Sequence, residues 1–327
     1  MKLPKKITLA AMLLSLTVML CGCRVGNLEI IYLQDIWPGE VFKIGKEVCT
    51  KKEARVYLTN YRNIYGESYG MDLWQDSSEK SLESYTKEKA LTQMAKIKCR
   101  NGLAKEKNVE LTKGEKKTAR NAAKKYYQSL SKKEKKYLDV KESDLEEMYE
   151  EYLLAAKVYD VLTKDVNTEI SEDEARVVDV MQIFVSDKAK AEELGKRIQN
   201  GEDFAALAGS YNEKGLIQTS VGRQDVSKEV QEQVFELEND QITQMIPVKG
   251  GYYFAKCINK YDRDLTEQNK EALQNQRRQA AFDKEYQAYM NDVSKVLNKS
   301  QWNKMKLNAP KGITTDCFFE VIDSMTE

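Results

Sequence analysis

The feature that most constrains the fold of this chain is a change in apolar period near Val177. Before that point, apolar residues recur at helical spacing, most clearly over residues 144–164, where an apolar stripe lies opposite an acidic one. Such a stripe has to pack against a partner element. From Val177 to Val185 the residues are mostly apolar and β-branched, which predicts a strand. The helical period returns near the C terminus, so a segment containing strands lies between two helical segments.

The middle segment, residues 177–262, alternates predicted strands with short helices. Gly201 ends the first of these helices, and Gly250-Gly251 predicts a turn before the last strand. This order of elements predicts a compact α+β unit. After the strand at 177–185, the predicted elements are helices at 188–200 and 202–211, a strand at 217–221, a helix at 228–236 and a strand at 252–258.

The two flanking segments are predicted to be helical. A short strand at 41–45 precedes helices at 81–107 and 144–164, and a further helix covers 266–298. Five Ser/Thr-x-x-Glu signatures predict helix starts, because the hydroxyl and the carboxylate can each accept a hydrogen bond from the other residue's backbone amide. The signatures are Thr50/Glu53, Thr112/Glu115, Ser131/Glu134, Ser143/Glu146 and Ser171/Glu174.

Both flanks carry an apolar stripe that lacks a partner within its own segment. We therefore expect the C-terminal helix to pack on the N-terminal helices. Tyrosines on these stripes could either pack in the core or bind a client, and their helical spacing favours packing. These tyrosines are Tyr126, Tyr127, Tyr149, Tyr152 and Tyr159. The predicted fold class is α+β, with a mostly helical body formed from both ends of the chain and an inserted α+β domain.

The N terminus has the pattern of a secretory signal peptide. Three lysines precede an apolar run at 7–20 that is shorter than the roughly 20 residues of a membrane-spanning helix. The quartet Leu20-Cys21-Gly22-Cys23 resembles the bacterial lipobox, which implies cleavage after residue 22 and attachment of a lipid such as palmitate to Cys23. The alternative is an ordinary cleaved signal without lipid. The lipobox implies a lipoprotein on the extracytoplasmic face of the cell membrane, with residues 23–40 as a tether.

Composition excludes several functional classes. Without the signal, the chain has 49 basic and 52 acidic residues, which gives no basis for binding nucleic acid. The sequence contains no histidine, and its remaining cysteines have no short spacing typical of a metal site. We expect no metal and no cofactor. Disulfides and buried free thiols both remain open for Cys49, Cys99, Cys257 and Cys317.

Residues 177–262 resemble a parvulin-type (PpiC) peptidyl-prolyl isomerase domain. The resemblance depends on Ile183-Phe184-Val185, Asn200-Gly201-Glu202-Asp203-Phe204, Val221-Gly222-Arg223, Phe235-Glu236-Leu237 and Gly251-Tyr252. With helical segments on both sides, the chain resembles the PrsA and SurA class of extracytoplasmic foldases. The resemblance implies a helical chaperone region at 41–173, a parvulin-like domain at 174–262 and a C-terminal helical segment at 263–327 that packs on the first region.

The polar positions of the family's active site are altered in this chain. The resemblance places Gln182 and Tyr253 where the family has histidines. The position of an acidic or thiol residue falls near Glu213 or Lys214. Amide and phenol groups can still form hydrogen bonds, so one alternative is a network rebuilt in another form. The other is that Gln182 and Tyr253 are filled core positions with no ligand role, and this interpretation is favoured because buried polar side chains usually have partners within the protein.

The apolar positions that hold the proline ring are also altered. Val226 and Val230 align with a methionine and a phenylalanine of the family, Val248 aligns with a threonine, and Phe235 is retained. Two valines offer a proline ring much less apolar surface. We therefore expect a retained parvulin fold with a degraded active site, in which isomerase activity is weak or absent.

Three functions compete. The first is a lipid-anchored foldase that binds unfolded secreted proteins, and the second is an active prolyl isomerase that assists the folding of exported proteins. The third is a structural or solute-binding lipoprotein, for which the sequence lacks a two-lobed α/β pattern. The oligomeric state, including a homodimer, stays open.

Overall fold

The computed structural model describes residues 37–69 and 80–326. They form two compact units, which we call the helical unit and the α+β unit. The helical unit comprises the described residues up to Lys164 and those from Ala281 onward, and the α+β unit is Asp165–Ala280. The predicted signal, Cys23 and residues 24–36 of the predicted tether lie outside the described residues. Within the described part of the chain, no helix is long and apolar enough to span a membrane.

The N-terminal part of the helical unit is a β-hairpin followed by helices. Its elements are β1 (Glu40–Ile44), β2 (Glu47–Thr50), α1 (Lys51–Tyr69), α2 (Lys80–Glu106), α3 (Lys113–Ser129), α4 (Lys132–Leu138) and α5 (Glu142–Thr163).

The α+β unit follows, with its strands and helices in the predicted order. Its elements are α6 (Glu172–Ala175), β3 (Val177–Val185), α7 (Lys188–Gln199), α8 (Phe204–Tyr211), β4 (Gln218–Gly222), a 3-10 turn (Arg223–Asp225), α9 (Lys228–Val234), β5 (Ile246–Val248) and β6 (Gly251–Asn259). The chain then continues through α10 (Arg263–Asp292), β7 (Lys295–Leu297), α11 (Lys299–Lys304) and α12 (Phe318–Asp323).

Helix starts follow the capping signatures in most places. Glu53 N donates to Thr50 Oγ1 at 3.2 Å, and the boxes at Thr112 and Ser131 are complete. The helix start predicted from Ser143 is wrong, because α5 already begins at Glu142. Its N terminus is capped at Lys141, whose backbone N donates to the Asp144 carboxylate. The box at Ser171 is half formed, since the Glu174 carboxylate pairs with Arg277 instead.

The predicted helix at 266–298 is too long at its C-terminal end. α10 ends at Asp292, and Leu297 lies in β7, which pairs antiparallel with β1 in register with Phe42. β7 completes a three-stranded sheet in the order β2-β1-β7. The cause is that the edge of β1 offers backbone donors and acceptors, and strand pairing satisfies them.

The core of the helical unit is aromatic and is closed by α12. The Phe318 ring stacks on Tyr149 at a centroid distance of 4.4 Å and meets Tyr126 edge-on at 5.3 Å. Tyr126 and Tyr149 are fully buried, while Tyr127, Tyr152 and Tyr159 pack against the same core, so the packing prediction is confirmed. Cys49, Cys99, Cys257 and Cys317 are free thiols in the structure, and the first three are buried.

The α+β unit is built on one antiparallel sheet in the order β4-β3-β6-β5. Side chains alternate between its two faces. Ile183 and Val185 of β3 pack on one face with residues of α7 and α8, such as Leu194 and Leu207. Val178 and Val180 lie on the opposite face, together with residues of α9. The second face carries the positions that the sequence resemblance assigns to the site.

Candidate functional site

The candidate site is a cluster on the face of the sheet that α9 covers. We call it the valine cluster. Val178 and Val180 come from β3, Tyr253 and Ala255 from β6, and Ile246 from β5, because alternate residues of each strand point to this face. The buried members are Val178, Val180, Val221, Val230, Val234, Phe235, Ile246, Tyr253 and Ala255, with Val226 and Val248 packed against them.

Gln182 and Tyr253 meet directly at this face. Gln182 is the next β3 residue on the side of Val178 and Val180 and pairs in register with Ala255. The Tyr253 hydroxyl donates to Gln182 Oε1 at 2.9 Å, and Gln182 Nε2 donates to the Leu216 carbonyl at 2.7 Å. The phenol and the amide group thus already have partners within the protein.

Tyr253 stays neutral over the physiological range. Its side chain is 9% exposed, and burial raises its pKa to about 12. A neutral phenol donates a hydrogen bond but does not exchange a proton readily near pH 7. The pair therefore offers hydrogen bonding and no acid–base group that titrates near neutrality.

The predicted apolar positions also come together. Val230 and Phe235 are buried at 4% and 3% exposure, and Val226 and Val248 are half-buried beside them. All six positions predicted for substrate binding therefore lie in the valine cluster or directly beside it, although the sequence places them up to seventy-one residues apart. The small valine side chains pack within the cluster together with Tyr253.

Phe235 is flanked by two arginines that the sequence prediction did not assign to the site. The Arg223 and Arg176 guanidinium groups lie 4.4 and 5.3 Å from the ring centroid. Arg176 also donates to the Phe235 carbonyl at 2.6 Å. Arg223 stands in the run Val221-Gly222-Arg223, so that motif was the one available signal. The two guanidinium groups therefore cover part of the Phe235 ring.

Glu213 and Lys214 are engaged away from the Gln182–Tyr253 pair. Glu213 Oε2 accepts hydrogen bonds from Ser186 N at 2.8 Å and Ser186 Oγ at 2.5 Å, and these bonds lower the pKa of its carboxyl. Lys214 Nζ lies 4.6 Å from the Phe184 ring centroid. Among the described residues, neither side chain forms a hydrogen bond with Gln182 or Tyr253. The chain just after this position does reach the pair, because Leu216 accepts a hydrogen bond from Gln182. Glu213 and Lys214 themselves are not bonded to the pair.

Comparison with known proteins shows which domain and which proteins this chain is similar to. Residues 140–267 match the model described as the PPIC-type PPIase domain. The foldase protein PrsA of Caldanaerobacter subterraneus is 28% identical over 207 residues, which are 58% of this chain and 62% of that protein. Foldase protein PrsA 3 of Bacillus cereus is 29% identical over 136 residues, or 38% of this chain and 48% of that protein. The chain thus spans about half to three fifths of these curated relatives.

Solved structures also align with this chain, at low sequence identity and low TM-score. A crystal structure of the peptidylprolyl isomerase PrsA from Bacillus cereus aligns with 76% of this chain and 93% of its own, at 20% identity and a TM-score of 0.38. A structure reported for the SurA-like chaperones PEB4 and Cj1289 of Campylobacter jejuni aligns with 80% of this chain and all of its own, at 12% identity and a TM-score of 0.30.

The predicted resemblance to a parvulin-type domain in a PrsA-like chain is confirmed by the family match and the curated relatives. The predicted fold class is confirmed as well: the chain is α+β, mostly helical, with an inserted parvulin-type domain.

Proposed function

We propose that this chain, which carries a parvulin-type domain and is similar to PrsA foldases, is a membrane-anchored extracytoplasmic foldase. In this proposal it binds unfolded secreted proteins as a chaperone and has little or no prolyl isomerase activity. The observation that carries the proposal is the bond between Tyr253 and Gln182. The two residues that stand at the polar positions of the family's site are therefore hydrogen-bonded to each other.

Catalysis of prolyl isomerisation needs more than this site offers. The barrier to rotation about the peptide bond is about 18–20 kcal/mol, and a catalyst must stabilise the twisted imide more than the planar one. Loss of a positioned hydrogen-bonding or proton-transfer group typically costs about 10²-fold or more in rate. Val226 and Val230 reduce the apolar wall as well. Chaperone binding requires none of these groups, because weak contact with exposed apolar segments is sufficient.

The decisive experiment measures both activities on the purified mature protein. We expect it to suppress aggregation of a chemically unfolded client and to leave the isomerisation of a proline tetrapeptide near the uncatalysed rate. The double variant Gln182→Ala/Tyr253→Ala should keep aggregation suppression. A matched control, Gln218→Ala/Tyr261→Ala, changes the same residue types outside the valine cluster, where Tyr261 is 38% exposed. Strong isomerase activity that the first double variant loses and the control keeps would show a rebuilt active site and overturn the proposal.

The anchor is tested separately. We propose that Cys23 carries the lipid, because it ends the quartet Leu20-Cys21-Gly22-Cys23 after a signal-like segment. Cys23→Ala should abolish incorporation of labelled palmitate and leave uncleaved or mislocalised precursor. Cys21→Ala should change neither the palmitate incorporation nor the cleavage and localisation of the protein. Incorporation that persists in Cys23→Ala would contradict the assignment.

A further inference from the structure

A cleft in the helical unit is lined by cationic side chains from three separate segments. On α1, Lys51, Arg55 and Arg62 follow at intervals of four and seven residues, which places them on one helix face. Residues of α4, Lys304 at the end of α11 and the segment that follows it complete the lining. The cleft has a volume of about 610 Å³, within the range of ligand-binding sites. We call it the basic cleft, and its cationic residues are Lys51, Arg55, Arg62, Lys133, Lys136, Lys304 and Lys306.

The lining contains no carboxylate. None of the seven cations forms an ion pair with an acidic residue within 37–69 and 80–326. Glu134 lies between Lys133 and Lys136 in sequence, but it is buried and accepts hydrogen bonds from the backbone amides of Thr314 and Thr315 at 2.8 Å. Lys51 and Arg55 also line a neighbouring cavity that includes acidic residues. The other five cations therefore define the charge of the basic cleft.

Arg62 is the second observation that indicates an anionic ligand. It is 8% exposed and lines the cleft, and its Nε is buried without a hydrogen-bond partner among the described residues. Its Nη1 is held by Asn63 Oδ1 at 2.6 Å, so the guanidinium is fixed in place. A buried cationic group with an unused donor is costly, and a ligand carboxylate would reduce that cost. Arg55 is held in a similar way by the Tyr137 carbonyl at 3.0 Å.

The remaining lining indicates what carries the negative charge. Leu58, Met305 and Leu307 form apolar parts of the wall, beside Tyr137 and Pro310. A phosphate polymer has no apolar groups to place against such a wall, whereas a peptide has both carboxylates and apolar side chains. A cleft lined by charges of one sign also raises the local concentration of oppositely charged ligands.

We propose that the basic cleft binds acidic peptide segments of unfolded client proteins, with Arg62 as the buried carboxylate partner. This proposal rests on the chaperone function proposed above and specifies its substrate class. It predicts that the protein prefers clients with clusters of Asp and Glu next to apolar residues.

The test uses a short fluorescent peptide in which glutamate and leucine alternate, and a second peptide with glutamine in place of glutamate. Fluorescence anisotropy with the full mature protein should show at least about tenfold tighter binding of the acidic peptide at low salt. The preference should shrink at high salt, because ions screen exposed charges. The variant Lys136→Glu/Lys304→Glu reverses two exposed cleft charges and should weaken binding of the acidic peptide at least about tenfold.

A matched control, Lys116→Glu/Lys117→Glu, makes the same charge change at exposed positions of α3 outside the cleft. It should bind the acidic peptide as the unaltered protein does. Arg62→Met should also weaken binding, and circular dichroism should show an unchanged fold. Equal binding of the two peptides, or equal weakening in both lysine variants, would overturn the proposal. So would polyphosphate binding that depends on the cleft while the acidic peptide fails to bind.

Aggregation assays separate this inference from the proposed function. If the cleft variant still protects a client poor in acidic residues but no longer binds the acidic peptide, both proposals stand. If the unaltered protein protects clients but does not bind the acidic peptide, only the cleft assignment fails. If it binds the acidic peptide through the cleft but protects no client, only the chaperone function fails.

Discussion

At the scale of single residues, the helical unit buries one ammonium group between two carboxylates. Lys98 Nζ lies 2.6 Å from Glu151 Oε1 and 3.0 Å from Glu53 Oε2, and both Lys98 and Glu53 are buried. One ammonium group neutralises only one carboxylate. With both carboxyl groups ionised, the three side chains would keep a net negative charge where little water reaches them. Burial and the neighbouring Glu53 carboxylate raise the pKa of Glu151 to about 7, and burial raises the pKa of Glu53 as well.

This arrangement predicts a pH dependence of stability. A carboxyl whose folded-state pKa exceeds its unfolded value of 4.5 binds a proton more tightly in the folded state. Its stabilising contribution is therefore present at low pH and is lost as the pH rises toward 7. The free energy of unfolding of the unaltered protein, minus that of the variant Glu151→Gln, should fall by roughly 1–3 kcal/mol between about pH 5 and pH 8. Urea unfolding across this range measures the difference.

The control for this prediction is Glu150→Gln on the same helix, because Glu150 makes no ion pair with Lys98 among the described residues. It should keep the pH dependence of the unaltered protein. A Glu151→Gln profile parallel to that of the unaltered protein would mean that Glu151 titrates normally in the folded state.

At the scale of elements, α2 approaches α10 closely at a glycine. A methyl group at Gly102 would lie 2.7 Å from Tyr289 Cζ, and it would be closer still to the hydroxyl. Alanine normally improves a helix by about 1 kcal/mol relative to glycine. At Gly102 the steric overlap should outweigh that gain, because Tyr289 is itself buried in the core.

We therefore expect Gly102→Ala to lower the free energy of unfolding by about 1–3 kcal/mol, as measured by denaturant titration. Gly209 is the matched control. It lies inside α8, and a methyl group there would meet no atom within 4 Å, so Gly209→Ala should stabilise by up to about 1 kcal/mol. In a Tyr289→Leu background the cost of Gly102→Ala should shrink. A cost that stays the same there would remove the Tyr289 explanation.

At the scale of the whole molecule, the two units have separate cores. The core of the helical unit contains Phe318 among the rings of Tyr57, Tyr126 and Tyr149, and the α+β unit has its own clusters on the two faces of its sheet. Removing the Phe318 ring should therefore weaken one unit and leave the packing of the other unchanged.

Phe318→Ala should cost about 3–5 kcal/mol in the stability of the helical unit. Hydrogen exchange resolved along the sequence should show faster exchange in α3 and α5 and unchanged protection in β3 and β6. Trp37→Ala is the control, because Trp37 is 73% exposed and its loss should change stability by less than about 0.5 kcal/mol. Equal loss of protection in β3 would show that the two units unfold together.

The bounds of several helices and strands could be predicted from the sequence. The strand Val177–Val185 has the predicted bounds, and α2 and α5 agree with prediction to within two residues at each end. Three capping signatures were complete boxes. These features depend on interactions between residues a few positions apart, so the local pattern of residue types is sufficient to predict them. The parvulin-type resemblance also followed from short motifs in their order along the chain.

Long-range pairing was decided only by the tertiary structure. Local periodicity extended α10 through Leu297, but the pairing of β7 with β1 ended that helix. No element was predicted for residues 305–326, and the structure places Phe318 of that segment in the core. The bond between Gln182 and Tyr253 joins residues that the sequence could only align separately. The basic cleft combines α1, α4 and the segment after α11, although the whole chain has equal numbers of acidic and basic residues. The physical reason is that each apolar stripe and strand edge has many acceptable partners, and only the packed chain selects among them.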